Sequence, residues 1–197
     1  AQPSFGVEQL TMGTSGVFVA PAARRAFAAC VPRGELYAQH GHPGYEAETG
    51  RGSGIVDSRT TLPSTLPYRS VAATAAERYR TPDAAAVTAG LAEAGLTEPT
   101  IRVGYLGPDE RRAAVVAAIA SACAPLGIEV VDASSPTFTP LALRAGEVDA
   151  VLASTAGQAG ASGTSSADPG RFALRGGQGV NVGGYANGRL DELIDRL

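Results

Sequence analysis

The chain lacks several residue types on which particular functions depend. It contains no Trp, and all 16 of its cationic residues are Arg, so it contains no Lys either. A formal net charge of −3 without any basic block argues against a nucleic-acid partner or an anionic membrane surface. No run approaches the roughly 18 consecutive apolar residues that a membrane-spanning helix needs. Because aromatic residues make up only 6% of the chain, the core must consist mainly of Ala, Val, Leu and Ile.

Histidine is scarce, and the position of the two histidines gives little support for a metal site. His40 and His42 have a spacing at which alternate residues of an extended segment point to one side. Their nearest carboxylates are Glu46 and Glu48, and no Cys accompanies them. A solvated loop is the favoured interpretation, and metal binding is the alternative. We expect no metal ion and no cofactor.

The sequence patterns of common enzyme classes are missing as well. No Ser lies in a Gly-x-Ser-x-Gly motif; residues 160–163 come nearest, with the wrong spacing and no His after them. Residues 104–107 lack the Gly-x-Gly-x-x-Gly spacing of a phosphate-binding loop. Paired carboxylates such as Asp109 and Glu110 stand at helix ends, where capping and solvation explain them. We therefore predict that the chain is not an enzyme.

The chain has two cysteines, each on the apolar face of a predicted helix. Cys30 shares its face with Ala26 and Phe27, and Cys123 shares a stripe with Val116 and Ile119. A buried free Cys behaves as a small hydrophobic residue. A disulfide between the two helices is the other interpretation, and an exported protein could keep it oxidised. Both alternatives remain open from the sequence, whereas a metal site formed by two Cys has no supporting ligands.

Strand and helix signals alternate along the chain, most regularly after Thr81. The pattern predicts strands at residues 7–12, 101–106, 128–131 and 148–153, and helices at residues 22–31, 33–39, 70–80, 82–94, 108–126, 139–145 and 189–197. Thr81 is the expected cap of one helix, and Gly95 and Gly127 are expected to end two of them. This order predicts an α/β fold, in which helices flank a mostly parallel sheet.

Two stretches rich in Gly, Ser and Thr interrupt this pattern. Residues 41–69 form a long irregular segment, and residues 154–170 form a loop after the last strand. Open parallel sheets bind ligands just beyond the carboxyl ends of their strands. The candidate ligand contacts are therefore polar residues at or beyond the ends of predicted strands: Thr14, Tyr105, Ser154, Thr155 and Gln158.

Five segments, taken in order, resemble the C-terminal lobe of the solute-binding proteins of oligopeptide and dipeptide ABC importers (family 5 type). They are the helix rich in Arg and Ala at residues 25–36, the helix ending in Ala-Gly at 81–95, the Leu-Gly-Ile-x-Val turn at 123–130, the Gly-x-x-Asp strand at 146–149, and the Asn-x-x-x-Tyr-x-Asn-x-x-x-Asp-x-Leu segment at 181–193. The resemblance covers nearly the whole chain and is firmest after residue 81.

The resemblance implies an architecture and a set of partners. Residues 1–197 would form one lobe of a type II periplasmic-binding-protein-like fold, excised from a longer two-lobed protein. A peptide or other small solute would bind between this lobe and the missing N-terminal lobe, and the loaded receptor would deliver it to ABC permease membrane subunits. The location would be extracytoplasmic, as a periplasmic protein or a cell-surface lipoprotein.

The sequence departs from the family pattern after residue 153. Peptide-binding members usually carry a Trp there and, a few residues later, an Asp that pairs with the amino terminus of the peptide. Residues 153–160 contain neither a Trp nor an acid. A charge-assisted bond of roughly 1.5–3 kcal/mol would therefore be missing. This departure favours the rival hypothesis, a regulatory or scaffolding cell-envelope lipoprotein of the same fold, similar to some actinobacterial lipoproteins.

Overall fold

A computed structural model describes residues 7–40, 79, 81–155, 176 and 181–196. Its centre is one four-stranded sheet with the spatial order β1-β4-β2-β3. The strands are β1 (Val7–Met12), β2 (Thr100–Gly104), β3 (Glu129–Asp132) and β4 (Ala150–Thr155). β2 runs parallel to both β3 and β4, whereas β1 runs antiparallel to β4. The predicted α/β fold with a mostly parallel sheet is thus confirmed.

Six α-helices accompany the sheet in the described residues. They are α1 (Pro21–Cys30), α2 (Arg33–His40), α3 (Ala84–Ala94), α4 (Glu110–Cys123), α5 (Leu141–Ala145) and α6 (Gly188–Asp195), with short 3-10 helices at Gly16–Phe18 and Ala124–Leu126. None of these helices has the length and apolar character that crossing a membrane would demand.

The ends of the helices follow local side-chain chemistry, with one difference from the prediction. Asp83, and not Thr81, caps α3, because its carboxylate accepts a hydrogen bond from the backbone N–H of Ala86 at 3.0 Å. An Asp at this position satisfies one of the free N–H groups of the first turn as well as Thr would. Gly95 and Gly127 end their helices with φ of 67° and 77°, as the sequence predicted.

The main core lies between one face of the sheet and helices α1, α3 and α4. It includes the fully buried side chains Phe18, Phe27, Val87, Ile101, Val103, Val116, Ile119 and Ile128. Cys30 and Cys123 join this core as a disulfide that links α1 to α4, with both residues 0% exposed. Of the two alternatives that the sequence left open, the structure therefore contains the disulfide.

Helix α3 packs closely against α1 at a position where a side chain has no room. A Cβ atom added to Gly90 would lie 2.9 Å from the Cβ of Ala26 and 3.0 Å from the carbonyl oxygen of Ala22. Small residues at this contact allow the two helix backbones to approach each other. The alanine richness of the chain therefore has a structural use, because it brings α3 onto the core.

A second, smaller apolar cluster covers the other face of the sheet. Leu143, Val148 and Val151 are buried there, with Ala133, Phe138, Ala142, Ala153 and Val182 packed around them. The ring of Phe138 occupies the space beside Gly104, where an added Cβ would lie 2.3 Å from a ring carbon. Glycine is thus required in β2 so that Phe138 can pack against the sheet at this position.

The end of β4 corrects the predicted loop boundary. Ser154 and Thr155 were expected in a loop, but they belong to the strand and pair with Glu8 and Val7 of β1. The antiparallel partner lengthens β4 because it gives these two residues backbone hydrogen-bonding partners. The remainder of the predicted loop up to residue 170, the irregular segment at 41–69 and, apart from Tyr79, the helix predicted at 70–80 lie outside the described residues.

Candidate functional site

The carboxyl ends of β2, β3 and β4 lie at one edge of the sheet, here named the carboxyl edge. The strands are staggered, because Val103, near the end of β2, lies opposite the last residue of β3, Asp132, and opposite the first residue of β4, Ala150, so β4 extends beyond the other two. The antiparallel β1 begins at the same edge, where Glu8 lies opposite Ser154. In open α/β sheets, ligands bind beyond this edge. The predicted ligand contacts should therefore lie at this edge.

Ser154, Thr155 and Tyr105 lie at the carboxyl edge, as the strand order requires. Ser154 and Thr155 are the last two residues of β4, and Tyr105 directly follows β2. Gln158, the remaining candidate beyond β4, lies outside the described residues. The structure thus brings three of the five candidate ligand contacts to one edge through the backbone.

Thr14 lies near the amino end of β4, because it follows β1, which runs antiparallel to β4. Met12 ends β1 opposite Ala150, the first residue of β4, and the N–H of Gly13 donates to the carbonyl oxygen of Asp149 at 2.9 Å. The hydroxyl oxygen of Thr14 lies 3.1 and 3.2 Å from the carbonyl oxygens of Gly183 and Gly184. In the structure, Thr14 therefore fastens the end of β1 to the segment before α6, away from the other candidates.

Tyr105 faces the protein interior. It is 2% exposed and belongs to the main core, and its hydroxyl donates a hydrogen bond to Oδ2 of Asp132 at 2.6 Å. Burial raises the pKa of the Tyr105 hydroxyl, and the hydrogen bond to the Asp132 carboxylate raises it further. The phenol therefore stays protonated. Because the Tyr105 side chain is buried, it contributes to the surface only through its hydrogen bond to Asp132.

Asp132 is a surface carboxylate at the carboxyl edge that the sequence analysis did not single out. It ends β3, and its Oδ1 accepts the backbone N–H of Ser134 at 2.8 Å while Oδ2 accepts the Tyr105 hydroxyl. Burial acts to raise the pKa of Asp132, but the hydrogen bonds from Tyr105 and Ser134 outweigh it, and the pKa is lowered. The sequence signal that could have identified Asp132 is the position of an acid directly after the apolar pair Val130-Val131, at the end of a predicted strand.

A separate network of charged side chains lies on the β1 side of the sheet, where it joins β1 to α4. Glu8 of β1 accepts hydrogen bonds from Arg111 and from Nε of Arg112, the latter at 3.0 Å. Arg112 also lies 3.5 Å from Oδ2 of Asp109, the residue that caps α4. These ion pairs join the first turn of α4 to β1. Glu8 and Asp109 are thereby neutralised by arginines.

An open hollow of about 390 Å³ lies beside β3 on the face opposite the main core. Its floor is apolar and is formed by Ala133, Phe138, Ala142 and Val148. Hydroxyl groups of Ser135, Thr137 and Thr139 line its rim, together with Glu147 at one end. The volume falls in the range of small-molecule pockets, about 300–1,000 Å³. Ser135 connects the hollow to the carboxyl edge, because it pairs with Leu106 in a parallel bridge.

Asp149, the acid of the Gly-x-x-Asp segment, has a structural role at the amino edge. It is 8% exposed, and its Oδ2 accepts hydrogen bonds from the backbone N–H and from Nε of Arg102, both at 2.9 Å. The carboxylate thus extends the contacts between β4 and β2 to Asp149, the residue that precedes β4. The contacts with Arg102 occupy both oxygens of this carboxylate.

A metal site receives no support from the described part of the chain. His40 ends α2, and His42, Glu46 and Glu48 lie outside the described residues. Among the residues that the structure describes, no three His, Cys, Asp or Glu side chains come together in a group that could hold a metal ion.

No family model matches the chain. An uncharacterised lipoprotein of Mycobacterium tuberculosis is 38% identical over 197 residues, covering 99% of this chain and 33% of that protein. An uncharacterised lipoprotein of Mycobacterium leprae is also 38% identical, over 199 residues, covering 99% of this chain and 34% of that protein. The chain thus spans about a third of the length of the curated relatives it matches.

Solved structures with the same fold include periplasmic and peptide-binding proteins. The periplasmic EDTA-binding protein EppA has a TM-score of 0.75 and 19% identity, over 99% of this chain and 37% of its own. NikA from Staphylococcus aureus in complex with Ni(L-His)2 has a TM-score of 0.66 and 18% identity, over 98% and 38%. OppA from Haemophilus influenzae, in complex with the peptide RPPGFSPFR, has a TM-score of 0.66 and 17% identity, over 97% and 36%.

These similarities define the fold of the chain. At identities below 20%, they concern the backbone architecture and say nothing about the ligand. The chain has the fold of one lobe of a type II periplasmic-binding-protein-like architecture. The structural matches span nearly all of this chain and little more than a third of each of the three neighbours named above. The predicted fold class is confirmed at this level of detail.

Proposed function

We propose that the chain is the ligand-binding lobe of an extracytoplasmic solute receptor that supplies an ABC importer. Ligand would bind between the carboxyl edge of this lobe and a second lobe of the same protein, and hinge closure would signal to the permease. The observation that carries this proposal is the match of 96–99% of the chain to solved solute-binding proteins. Binding would consist of hydrogen bonding and desolvation, without bond chemistry.

The class of solute is the open part of this proposal. The solved neighbours are named for a nickel–histidine complex, for EDTA and for a peptide, although they share one fold. Peptides remain the first candidates because the five sequence segments, taken in order, resemble those of the solute-binding proteins of oligopeptide importers. The absence of a Trp and an acid from residues 153–160 means that a peptide amino terminus would need another partner.

The second candidate is a regulatory or scaffolding lipoprotein of the cell envelope. The departure at residues 153–160 favours it, whereas the naming of the mycobacterial relatives as lipoproteins fits both candidates. In that case, another envelope protein would occupy the carboxyl edge, and no small molecule would accompany the purified protein.

The test uses the full-length protein that contains this chain, purified without refolding. Denaturing extraction followed by mass spectrometry identifies any small molecule that copurifies, and thermal denaturation in the presence of peptide pools measures added binding. A defined solute or a set of peptides would support the receptor. An empty extract and an unchanged melting temperature in every pool would overturn it in favour of the regulatory lipoprotein.

A further inference from the structure

The disulfide between Cys30 and Cys123 connects two parts of the core that are packed in different ways. One part is the α1–α3 pair, meaning helices α1 and α3 together, and the other is the sheet with α4. We propose that this bond is a redox-dependent lock, which holds the α1–α3 pair on the sheet only when both cysteines are oxidised. The chain therefore completes its fold in an oxidising compartment. This inference goes beyond both candidate functions and is compatible with either.

The first step of the argument is that α1 and α3 form one unit. Most contacts of α3 with other helices and strands are contacts with α1. The backbone N–H of Asp83, the cap of α3, donates to the carbonyl oxygen of Ala29 in α1 at 2.9 Å. The exposed side chains of Arg25 and Glu93 form an ion pair between the two helices. Helix α3 should therefore follow α1 whenever α1 leaves the core.

The second step is that small side chains attach this pair to the core. Five alanines of α1 are buried, and Phe27 is the only large apolar side chain in this helix. In α3, Val87 is fully buried and Leu91 is partly buried. Hydrophobic free energy rises with the apolar area that is buried, and an alanine side chain buries a single methyl group. A covalent bond therefore supplies a large share of the attachment.

The third step is that larger side chains hold the sheet and α4 together. The buried aliphatic residues of this part are Ile101, Val103, Val115, Val116, Ile119 and Ile128. The backbone pairing of β2 with β3 and β4 adds hydrogen bonds in which neither α1 nor α3 takes part. Loss of the disulfide should therefore loosen the α1–α3 pair before it affects the sheet.

The chemistry of the lock is thiol–disulfide exchange. Both cysteines are 0% exposed in the folded chain, so an oxidant has to reach them before α1 packs. The thiolate of one cysteine attacks an external disulfide, either a small molecule or a protein, and a mixed disulfide forms as one external thiol leaves. The second cysteine then displaces the other external thiol. Two electrons pass from the cysteines to the external disulfide, and the two cysteine protons go to the released thiols.

The compartment follows from this requirement for an oxidant. Disulfides form and persist outside the cytoplasm, whereas the cytosol keeps thiols reduced. A chain with reduced cysteines would keep its α1–α3 pair loose before export, and oxidation after export would close the lock.

The experiment measures backbone hydrogen exchange of the full-length protein by mass spectrometry. The three states are the oxidised protein, the protein reduced and refolded under dithiothreitol, and the same sample reoxidised with oxidised glutathione. We expect reduction to speed exchange in α1 and α3 by about tenfold or more and exchange in β2 and β4 by less than about threefold. Reoxidation should restore the protection of α1 and α3.

A variant without the two thiols tests the same inference in the absence of reductant. Cys30→Ala combined with Cys123→Ala should speed tryptic cleavage after Arg25 in α1 by about tenfold or more. Cleavage after Arg111 in α4 should change little, although the two arginine side chains are similarly exposed, at 49% and 43%. Glu93→Gln is the control, because it removes the surface ion pair between α1 and α3 but keeps the disulfide.

The outcomes decide the proposal in either direction. Unchanged exchange in α1 and α3 after reduction would overturn it, because the pair would then be held without the bond. An equal increase in all four elements would also overturn it, because the bond would then support the whole lobe and not the α1–α3 pair. If the variant fails to fold, the exchange of the reduced wild-type protein decides. Neither measurement involves a ligand, so a negative result would leave the receptor proposal unaffected.

Discussion

Arg102 and Asp149 join β2 to β4 through both backbone and side-chain contacts. Asp149 accepts a hydrogen bond from the Arg102 backbone N–H, and its carboxylate also holds the Arg102 guanidinium through Nε and Nη2, at 2.9 and 3.0 Å. In return, the N–H of Asp149 donates to the carbonyl oxygen of Arg102 at 2.9 Å. This pair sets the register of the two central strands.

The first prediction concerns this pair. Replacing Asp149 by Ala should lower the free energy of unfolding by about 2–3 kcal/mol, because a backbone N–H and a guanidinium lose their acceptor. Urea denaturation of wild type and variant measures the difference. Glu147→Ala, two residues away and exposed, is the control and should change stability by less than about 0.5 kcal/mol. Equal effects of the two substitutions would contradict the structural role of Asp149.

The second prediction concerns the disulfide between α1 and α4. The replacement of Cys30 and Cys123 together by Ala should destabilise the chain by about 2–5 kcal/mol, because the bond closes a long loop across 93 residues of sequence. Chemical denaturation with and without reductant measures the effect. Both sulfurs are fully buried, so a thiol reagent should label neither Cys in the native, non-reduced protein. Rapid labelling of both under those conditions would show that the bond is absent.

The third prediction concerns the contact of α3 with α1. Gly90→Ala should destabilise by about 1–3 kcal/mol, although Ala favours helices, because its Cβ would lie 2.9 Å from the Cβ of Ala26. Gly188→Ala in α6 makes the same chemical change at a position with no neighbouring atom within 4 Å. The control should be neutral or slightly stabilising, since Ala exceeds Gly in helix propensity by about 1 kcal/mol. Thermal melts of the two variants compare them directly.

The fourth prediction concerns the pH dependence that Tyr105 and Asp132 produce. The folded state lowers the pKa of Asp132 from 3.8, so the stability it contributes is present above about that value and is lost as pH falls through the folded pKa. The folded state raises the pKa of Tyr105 from 10.0, so its contribution is present below that value and is lost as pH rises beyond it. Stability from this pair should therefore be greatest between the two limits.

Tyr105→Phe tests this assignment. It removes one hydrogen bond from the carboxylate, so the pKa of Asp132 should rise and the protein should lose about 1–2 kcal/mol at neutral pH. A 13C NMR titration of the Asp132 carboxyl measures the pKa, and denaturation at several pH values measures the loss. The difference between wild type and variant should shrink in acid, as Asp132 becomes protonated. An unchanged pKa of Asp132 would refute the proposed hydrogen bond.

The fifth prediction concerns the isolated chain. Because the proposed site lies between two lobes, residues 1–197 alone should bind no oligopeptide with micromolar or better affinity. Calorimetry with the same peptide pool should reveal tighter binding to the full-length protein if the receptor function is correct. Micromolar binding by the isolated chain would place the whole site within one lobe.

The sequence was a good guide wherever local chemistry decides the conformation. Gly95 and Gly127 were predicted to end helices and do so, because a left-handed residue is easiest for glycine. The alternation of strands and helices was enough to predict a mostly parallel sheet. Capping was less certain, because Asp83 competes with Thr81 for the same N–H groups and the difference between them is small.

The candidate site was harder to predict because it depends on which strand ends meet. Ser154, Thr155 and Tyr105 follow or end strands that run in the same direction, so the structure collects them at one edge. Thr14 follows a strand that runs the other way, and no local pattern shows the direction of β1. Asp132 was missed because its importance comes from contact with Tyr105, 27 residues earlier in the chain.

The sequence by itself determined the fold class, the positions of most helices and strands, and the resemblance to solute-binding proteins, since all of these follow from periodicity, turn residues and motif order. Only the tertiary structure decided that Cys30 and Cys123 are joined, that β1 is antiparallel, and that Asp132 stands at the carboxyl edge with a fixed orientation. These features depend on contacts between residues far apart in the chain, and such contacts leave no periodic signal in the sequence.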